Sequence, residues 1–159
     1  MGWIVAVVLG TLLVLTACTG DGEEGGDVQA VLHADAKRWT ADHAQRTAAA
    51  MGEDAALQPG EDPVPVPCDG KPDGVYHVQG IYQILLPGDQ HLDGLRRLRE
   101  DWHRAGYEIR KERTFPDGTR GEISAVVPAD SFAITVSSGQ PPAMVVIIAS
   151  PCYQSDEPL

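Results

Sequence analysis

The chain has 159 residues, of which 43% are hydrophobic, and 23 acidic against 12 basic side chains give it a net charge of −11 at pH 7. Because so acidic a surface repels phosphate backbones and anionic lipid head groups, the composition excludes nucleic acid as a predicted partner. The length favours one domain with a hydrophobic core over two domains.

The first element is an uncharged apolar segment, residues 1–17, which ends at Cys18. Its uninterrupted apolar part would extend about 24 Å as a helix at 1.5 Å per residue. A membrane-spanning helix needs about 20 residues, so the segment is short for a permanent span and has the length of a signal-peptide core. The alternative is an uncleaved single-pass membrane protein with the same outer domain.

The end of this segment reads Leu15, Thr16, Ala17 and Cys18, and this LTAC sequence resembles the lipobox of bacterial lipoproteins. The resemblance implies that residues 1–17 are a lipoprotein signal peptide, that the Cys18 sulfur carries a diacylglycerol, and that the new amino terminus is acylated, for example with palmitate. It also implies a position at the cell membrane, lipid-anchored and facing outside the cytoplasm. The first residues depart from the family pattern because they contain no lysine or arginine.

The motif leads into a polar stretch, so residues 18–26 are predicted to form the lipidated cysteine and a flexible acidic tether. Residues 27–159 are then predicted to be a single extracytoplasmic α+β domain. The end of that domain reads Ser150, Pro151 and Cys152, and its body resembles small actinomycete lipoproteins in which the last strand also runs into an S-P-C ending. This resemblance implies no known activity.

The chain contains three cysteines, an odd number for an exported protein. If a lipid caps Cys18, Cys68 and Cys152 remain as a pair in an oxidising compartment, where a disulfide can form. Both lie in turn-like sequences, PVPVPCDG and ASPCY, which makes two unrelated buried thiols the weaker interpretation. The topology predicted below also permits the disulfide, because the last strand ends at the end of the sheet where the first strand begins.

Helical spacing of apolar residues predicts a first helix over residues 28–51, with Asp27 as its N-cap and Gly52 as its end. Residues 53–73 contain five prolines and no period, which predicts a loop. A loop of this length is uncommon inside a compact domain unless it is functional or held in place, and Cys68 would hold it.

Strict alternation over residues 75–86 predicts a strand with one buried and one solvent-exposed face, and Gly80 indicates a bulge. The predicted buried face carries Tyr76, Val78, Tyr82, Ile84 and Leu86. Asp89 is predicted to cap a second helix that ends at Gly106. The apolar residues of that helix share one stripe, and they are Leu92, Leu95, Leu98, Trp102 and Ala105.

The remaining strands follow in quick succession. Residues 107–115 and 119–127 flank a PDG turn and predict a hairpin, residues 132–136 predict the next strand, and the apolar residues 143–149 predict an interior strand. The expected fold is therefore α+β, with two helices packed on one face of a five-stranded, mainly antiparallel sheet, and with one disulfide.

Sequence motifs for catalysis and metal binding are missing. None of the five histidines belongs to an HExxH motif, and the sequence has no GxSxG elbow. The arginines of the second helix alternate with acidic residues, which indicates a solvated, salt-bridged surface. No catalytic residue, metal or cofactor is therefore predicted, and the protein is not expected to be an enzyme.

The predicted function is that of a lipid-anchored extracytoplasmic binding or interaction protein, whose partner is an unknown envelope protein or small ligand. The alternative is an extracytoplasmic hydrolase that uses dispersed acidic residues or His103. A deep pocket lined by several ionisable side chains would favour the hydrolase, whereas a shallow exposed apolar surface would favour the binding protein.

The predicted recognition face is the side of the sheet that the two helices leave uncovered. Its residues are His77, Gln79, Gln83, Val145 and Ile147. Exposed apolar patches with a polar rim are typical of recognition surfaces. The alternative is that the 53–73 segment folds over the apolar stripe and hides it.

Overall fold

The computed structural model describes residues 28–155. The predicted signal peptide 1–17, the lipidation site Cys18 and the tether 18–26 lie outside the described residues, as does the predicted helix cap Asp27. Among the residues that are described, no helix is both long enough and apolar enough to cross a membrane.

Residues 28–155 form two helices and eight strands around one antiparallel sheet. The helices are α1 (His33–Met51) and α2 (His91–Arg104), and a 3-10 turn, Gly88–Gln90, precedes α2. The strands are β1 (Ala56–Leu57), β2 (Val64–Pro67), β3 (Val75–Leu85), β4 (Glu108–Thr114), β5 (Gly121–Val126), β6 (Ala133–Ser138), β7 (Ala143–Ala149) and β8 (Tyr153–Gln154). This confirms the α+β fold with two helices, but the sheet has eight strands and the predicted number of five is wrong.

The main path of the sheet runs in the order β1-β3-β7-β6-β5-β4, and β2 and β8 also pair with β3. Every pairing between two of these strands is antiparallel. The long strand β3 therefore lies at the centre of the sheet. It pairs with β7 over most of its length, and the short strands β1, β2 and β8 each pair with a shorter part of it. The interior position predicted for residues 143–149 is confirmed, because β7 lies between β3 and β6.

Two of the additional strands lie in the 53–73 segment, so the prediction of a structureless loop is wrong. The Cys68 amide donates a hydrogen bond to the Val75 carbonyl at 3.0 Å. Since backbone groups alternate along a strand, Val66 also directs its amide towards β3, whereas Pro65 and Pro67 lie with their nitrogens facing away. Prolines are tolerated on an edge strand for this reason, and a proline-rich sequence can hide such a strand.

The third additional strand, β8, explains why α1 begins later than predicted. Ala30 forms a parallel bridge with Gln154. The Val31 amide donates to the Gln154 carbonyl at 3.1 Å, and the Gln154 amide donates to the Gln29 carbonyl at 2.9 Å. Because the backbone of this segment is already paired with the end of the chain, the helix starts at His33, and its predicted end at Met51 is confirmed.

The strand predicted over 75–86 is confirmed as β3, but the bulge at Gly80 is wrong. The register from β3 to β7 runs without interruption through Gly80. A β-carbon at this position would lie 2.6 Å from the Tyr82 ring and 2.8 Å from the Thr40 methyl group of α1. The glycine is therefore a point of close contact between the sheet and α1. The irregularity in the sheet lies instead in β4, between Ile109 and Lys111.

The two helices cover one face of the sheet and form the core with it. The largest fully buried apolar side chains come from both layers and include Met51, Ile84, Leu98, Ile134 and Ile148. Asp89 does not cap α2, because it lies in the preceding 3-10 turn and no side chain caps this helix. The fully buried His91 fixes the helix start by donating from Nε2 to the Leu86 carbonyl at 3.0 Å.

The predicted disulfide between Cys68 and Cys152 is confirmed. Their Cα atoms are 6.4 Å apart, and the bond closes a loop of 84 residues. Since β3 and β7 are antiparallel, the end of β7 lies beside the start of β3, as the predicted topology required. The disulfide joins the end of edge strand β2 to the connection between β7 and β8.

Candidate functional site

The uncovered side of the sheet, called the outer face below, brings together the residues predicted for recognition. Residues that lie directly opposite each other share a face, and β3 places Gln83 beside Val145 and Ile81 beside Ile147. The same alternation puts His77 and Gln79 on this face, while Tyr76 and Val78 point into the core. All five predicted face residues therefore lie on one side of neighbouring strands.

The apolar centre of the outer face is a stripe across three strands. It consists of Val64 in β2, Ile81 in β3 and Ile147 in β7, which are 52%, 58% and 37% exposed. Two of these residues were missed by the sequence analysis. Ile81 has the same alternation as Gln79 and Gln83, which is a signal that could have identified it, whereas Val64 was assigned to a loop.

The 53–73 segment does not cover the stripe. Residues 56–57 and 64–67 extend the sheet along the edge of β3 and lie beside the face. The chain between them borders a small recess of about 270 Å³, which is lined by Glu61, Asp62, Val64, Gln79 and Ile81. The stripe is therefore open, and its rim carries two carboxylates on one side.

The opposite end of the outer face, on β4 and β5, is charged. Glu122 lies 2.7 Å from the Lys111 ammonium and 3.3 Å from the Arg113 guanidinium. The hydrogen bond from Lys111 is the main cause that holds the Glu122 pKa below its ordinary value. The outer face therefore changes from apolar residues on β2, β3 and β7 to paired charges on β4 and β5.

A concave site between α2 and β4 is where the hydrolase alternative would have to reside. This cleft of about 620 Å³ is lined by Arg99, Glu100, His103, Arg104, Ile109 and Glu112. Its carboxylates have cationic neighbours, since Glu100 lies 3.1 Å from Arg96 and Glu112 lies 3.8 Å from Arg99. These contacts are those of a solvated, salt-bridged surface, in which the acidic groups are engaged by arginine.

A second cleft, called the aromatic cleft below, lies where the two ends of the described chain meet. Its volume is about 610 Å³, and its lining residues are Val28, Gln29, Trp39, Ala129, Asp130, Ser131, Phe132, Pro151, Cys152 and Tyr153. Residues 28–29, α1, the β5–β6 turn, the β7–β8 connection and β8 contribute to it. No single stretch of sequence carries this site, which is why the sequence analysis missed it.

A buried histidine is bonded to the carboxylate of this cleft. His43 is 2% exposed, and its Nε2 lies 2.9 Å from Asp130 Oδ2. Burial lowers the His43 pKa below its ordinary value, and this effect exceeds the opposing hydrogen bond and charge of Asp130. The imidazole is therefore neutral at pH 7, and its Nε2 donates a hydrogen bond to the Asp130 carboxylate.

Possible metal ligands do not come together in the part of the chain that the structure describes. Over residues 28–155, no three histidine, cysteine, aspartate or glutamate side chains form a group that could hold a metal ion. His77, the face residue closest to the disulfide, has its Nδ1 3.7 Å from Cys68 Sγ.

Comparisons with known proteins give one similar structure. Neither the protein-family models nor the curated proteins contain a match to this sequence. Among solved structures, a protein described as "the putative lipoprotein LppA from Mycobacterium tuberculosis" is similar, with a TM-score of 0.47 and 15% identity, over 79% of this chain and 81% of that chain. At this score and identity the similarity carries no conclusion about function.

Proposed function

We propose that the chain is a lipid-anchored protein on the outer side of the cytoplasmic membrane that binds another envelope protein through the outer face of its sheet, without catalysing a reaction. The observation that carries the proposal is the open apolar stripe of Val64, Ile81 and Ile147. Single exposed apolar side chains are common on protein surfaces, whereas a group of them on one sheet face is uncommon and often marks an interaction site.

The shape of the outer face favours a protein over a small molecule as its partner. Small ligands bind in concave sites that enclose most of their surface. The stripe lies instead on the face of a sheet and borders only the small recess described above. The polar residues His77, Gln79 and Gln83 and the carboxylates of Glu61 and Asp62 surround it. An apolar centre depleted of charge and surrounded by polar groups is the usual composition of a protein–protein interface.

The anchor is supported by the sequence alone. The LTAC motif predicts a lipid on Cys18, and the lipid would hold the described domain close to the membrane. The outer face could then meet a neighbouring membrane-bound protein.

The proposal is tested by site-specific photo-crosslinking in the native envelope. A photoreactive residue at position 81 reports on the stripe, and one at position 32 is the control, because Leu32 is equally exposed at 59% but lies at the start of α1. Each position is examined with and without the substitution Ile147→Asp. The expected result is one discrete adduct with a different protein, formed from position 81 and lost with Ile147→Asp.

Three results would contradict the proposed function. The first is equal labelling from positions 81 and 32, and the second is an adduct that survives Ile147→Asp. The third is an adduct that contains only a second copy of this chain. The thermal midpoint of the Ile147→Asp variant must stay close to that of the unchanged protein, since Ile147 is partly exposed and not part of the core.

A further inference from the structure

The aromatic cleft shares no residue with the apolar stripe, so its role is a separate question. Its size lies within the range of small-molecule sites. Trp39 is half-buried on its wall, and the Tyr153 ring lies 6.2 Å away with the two planes inclined by 66°. Phe132 and Tyr153 also line the cleft but are only 1% and 5% exposed, so Trp39 offers most of the accessible aromatic surface. Three aromatic rings thus border one concavity.

The cleft also holds an acidic side chain, Asp130, that is not paired with a basic residue of the described chain. Asp130 Oδ2 accepts the hydrogen bond from neutral His43, Asp130 Oδ1 accepts one from the Phe132 amide at 3.4 Å, and the side chain remains 43% exposed. Within residues 28–155, no lysine or arginine forms an ion pair with Asp130. The remaining polar side chains of the lining, Gln29 and Ser131, are uncharged. The electrostatic preference of the cleft is therefore for a cation.

Aromatic faces and a carboxylate together select a particular kind of cation. An aromatic ring attracts a positive charge through its quadrupole, and this attraction is strongest for cations that lose little hydration. A primary ammonium would lose three strong hydrogen bonds to water. Both Asp130 oxygens already accept hydrogen bonds from the protein, which leaves Gln29, Ser131 and the Tyr153 hydroxyl as the other side-chain acceptors on the described lining. A methylated ammonium has no such bonds to lose.

We propose that the aromatic cleft binds a small organic cation with an alkylated ammonium group, which packs against Trp39 and Tyr153 and is paired with Asp130. The acidic charge of the whole chain raises the local concentration of cations and favours the same ligand class. This site is independent of the outer face, and either proposal can fail while the other holds.

The proposal is tested with three probes on the full, lipid-bearing chain in detergent. Choline carries the methylated cation, 3,3-dimethylbutan-1-ol is its neutral isostere, and ethanolamine is the unmethylated cation. Binding is measured by calorimetry and by the shift of the Trp39 indole resonance. Choline is expected to bind saturably, with an affinity about tenfold above that of either comparison compound.

Variants of the cleft assign the binding to its residues. Trp39→Leu and Asp130→Asn are each expected to weaken choline binding about tenfold. Asp54→Asn is the control, because it removes an exposed carboxylate that does not line the cleft. Thermal midpoints identify a variant that is misfolded, and Tyr153→Phe then serves as a second, milder change on the wall.

The outcomes that overturn the proposal are specific. Equal affinity for choline and its neutral isostere would remove the role of the charge. Tighter binding of ethanolamine would remove the aromatic contribution. Absence of saturable binding at millimolar choline, or binding unchanged in both cleft variants, would show that the cleft is not the site.

Discussion

The contact between β3 and α1 at Gly80 leads to a quantitative prediction for Gly80→Ala. A β-carbon built here lies 2.6 Å from Tyr82 Cε2 and 2.8 Å from Thr40 Cγ2, closer than side-chain carbons approach in folded proteins. Thr40 cannot yield easily, because it is fully buried and its hydroxyl donates to the Ala36 carbonyl at 2.8 Å. The Tyr82 ring must therefore rotate, or α1 must move away from the sheet.

The magnitude follows from two opposing contributions. Adding a methyl group to a well-packed core costs about 1–3 kcal/mol. Replacing a glycine also reduces the conformational entropy of the unfolded chain and returns about 0.4–1 kcal/mol. The net destabilisation is about 1–2 kcal/mol, which lowers the thermal midpoint by about 3–8 °C for a domain of this size.

Urea unfolding, monitored by tryptophan fluorescence, measures this loss of stability. The m-value of the variant should equal that of the unchanged protein. Gly60→Ala is the matched control, because a β-carbon there would lie 3.5 Å from the nearest atom, the Ile81 carbonyl oxygen, in ordinary contact. It should be neutral or slightly stabilising. A Gly80→Ala variant as stable as Gly60→Ala would refute the close approach of α1 to β3.

Three further predictions concern the cysteines and the buried histidine. Intact mass of the native protein should give a chain that begins at Cys18 with added diacylglycerol, and a product that keeps residues 1–17 would contradict the lipobox interpretation. Replacing both Cys68 and Cys152 by alanine should lower the unfolding free energy by about 2–4 kcal/mol, measured against the oxidised protein, because the bond closes a long loop. Since the folded-state pKa of His43 is below 6.5, the unfolded chain binds its proton first, and stability should fall as the pH decreases from 6.5 towards that lowered value. His43→Gln should lose less stability than the unchanged protein between pH 7.5 and pH 5.

The parts of the fold that follow from local periodicity could be predicted. The alternation of β3 gave its buried face correctly at Tyr76, Val78 and Ile84. The apolar stripe of α2 was correct at Leu95 and Leu98, although Ala105 is exposed and lies beyond the helix. In each element, one face is buried against the other layer, and this imposes a regular spacing of apolar residues. That spacing can be recognised in the sequence without knowing which element packs against it.

The parts that depend on distant pairing could not be predicted. The VPVP sequence of β2 has few amides to pair, and it is a strand only because β3 offers an edge beside it. The late start of α1 depends on Gln154, more than a hundred residues away along the chain. The aromatic cleft depends on four separate segments, so its residues acquire a common role only in the folded chain.

The edges of the sheet explain why recognition would use its face. An unpaired strand edge is a template for another strand, and proteins protect such edges with prolines and charges. On β2, Pro65 and Pro67 lie with their nitrogens outward and offer no donor to a partner. On β4, most residues are exposed and charged, and Arg110 pairs with Glu108 at 2.6 Å. The prolines of β2 and the charges of β4 both disfavour the addition of another strand. The stripe around Ile81 contains neither prolines nor charges, so it remains available for contact.

The chemistry of the outer face and of the aromatic cleft makes the two proposed interactions distinguishable by experiment. A partner that bound by strand addition would need backbone donors that β2 does not provide. A partner that packs on Val64, Ile81 and Ile147 needs mainly apolar side chains of its own, and its contact should weaken less with added salt than binding to a single charge. Binding in the aromatic cleft depends on the charge of Asp130 and should weaken as salt is added. The salt dependence of each interaction therefore distinguishes the two sites in the same protein.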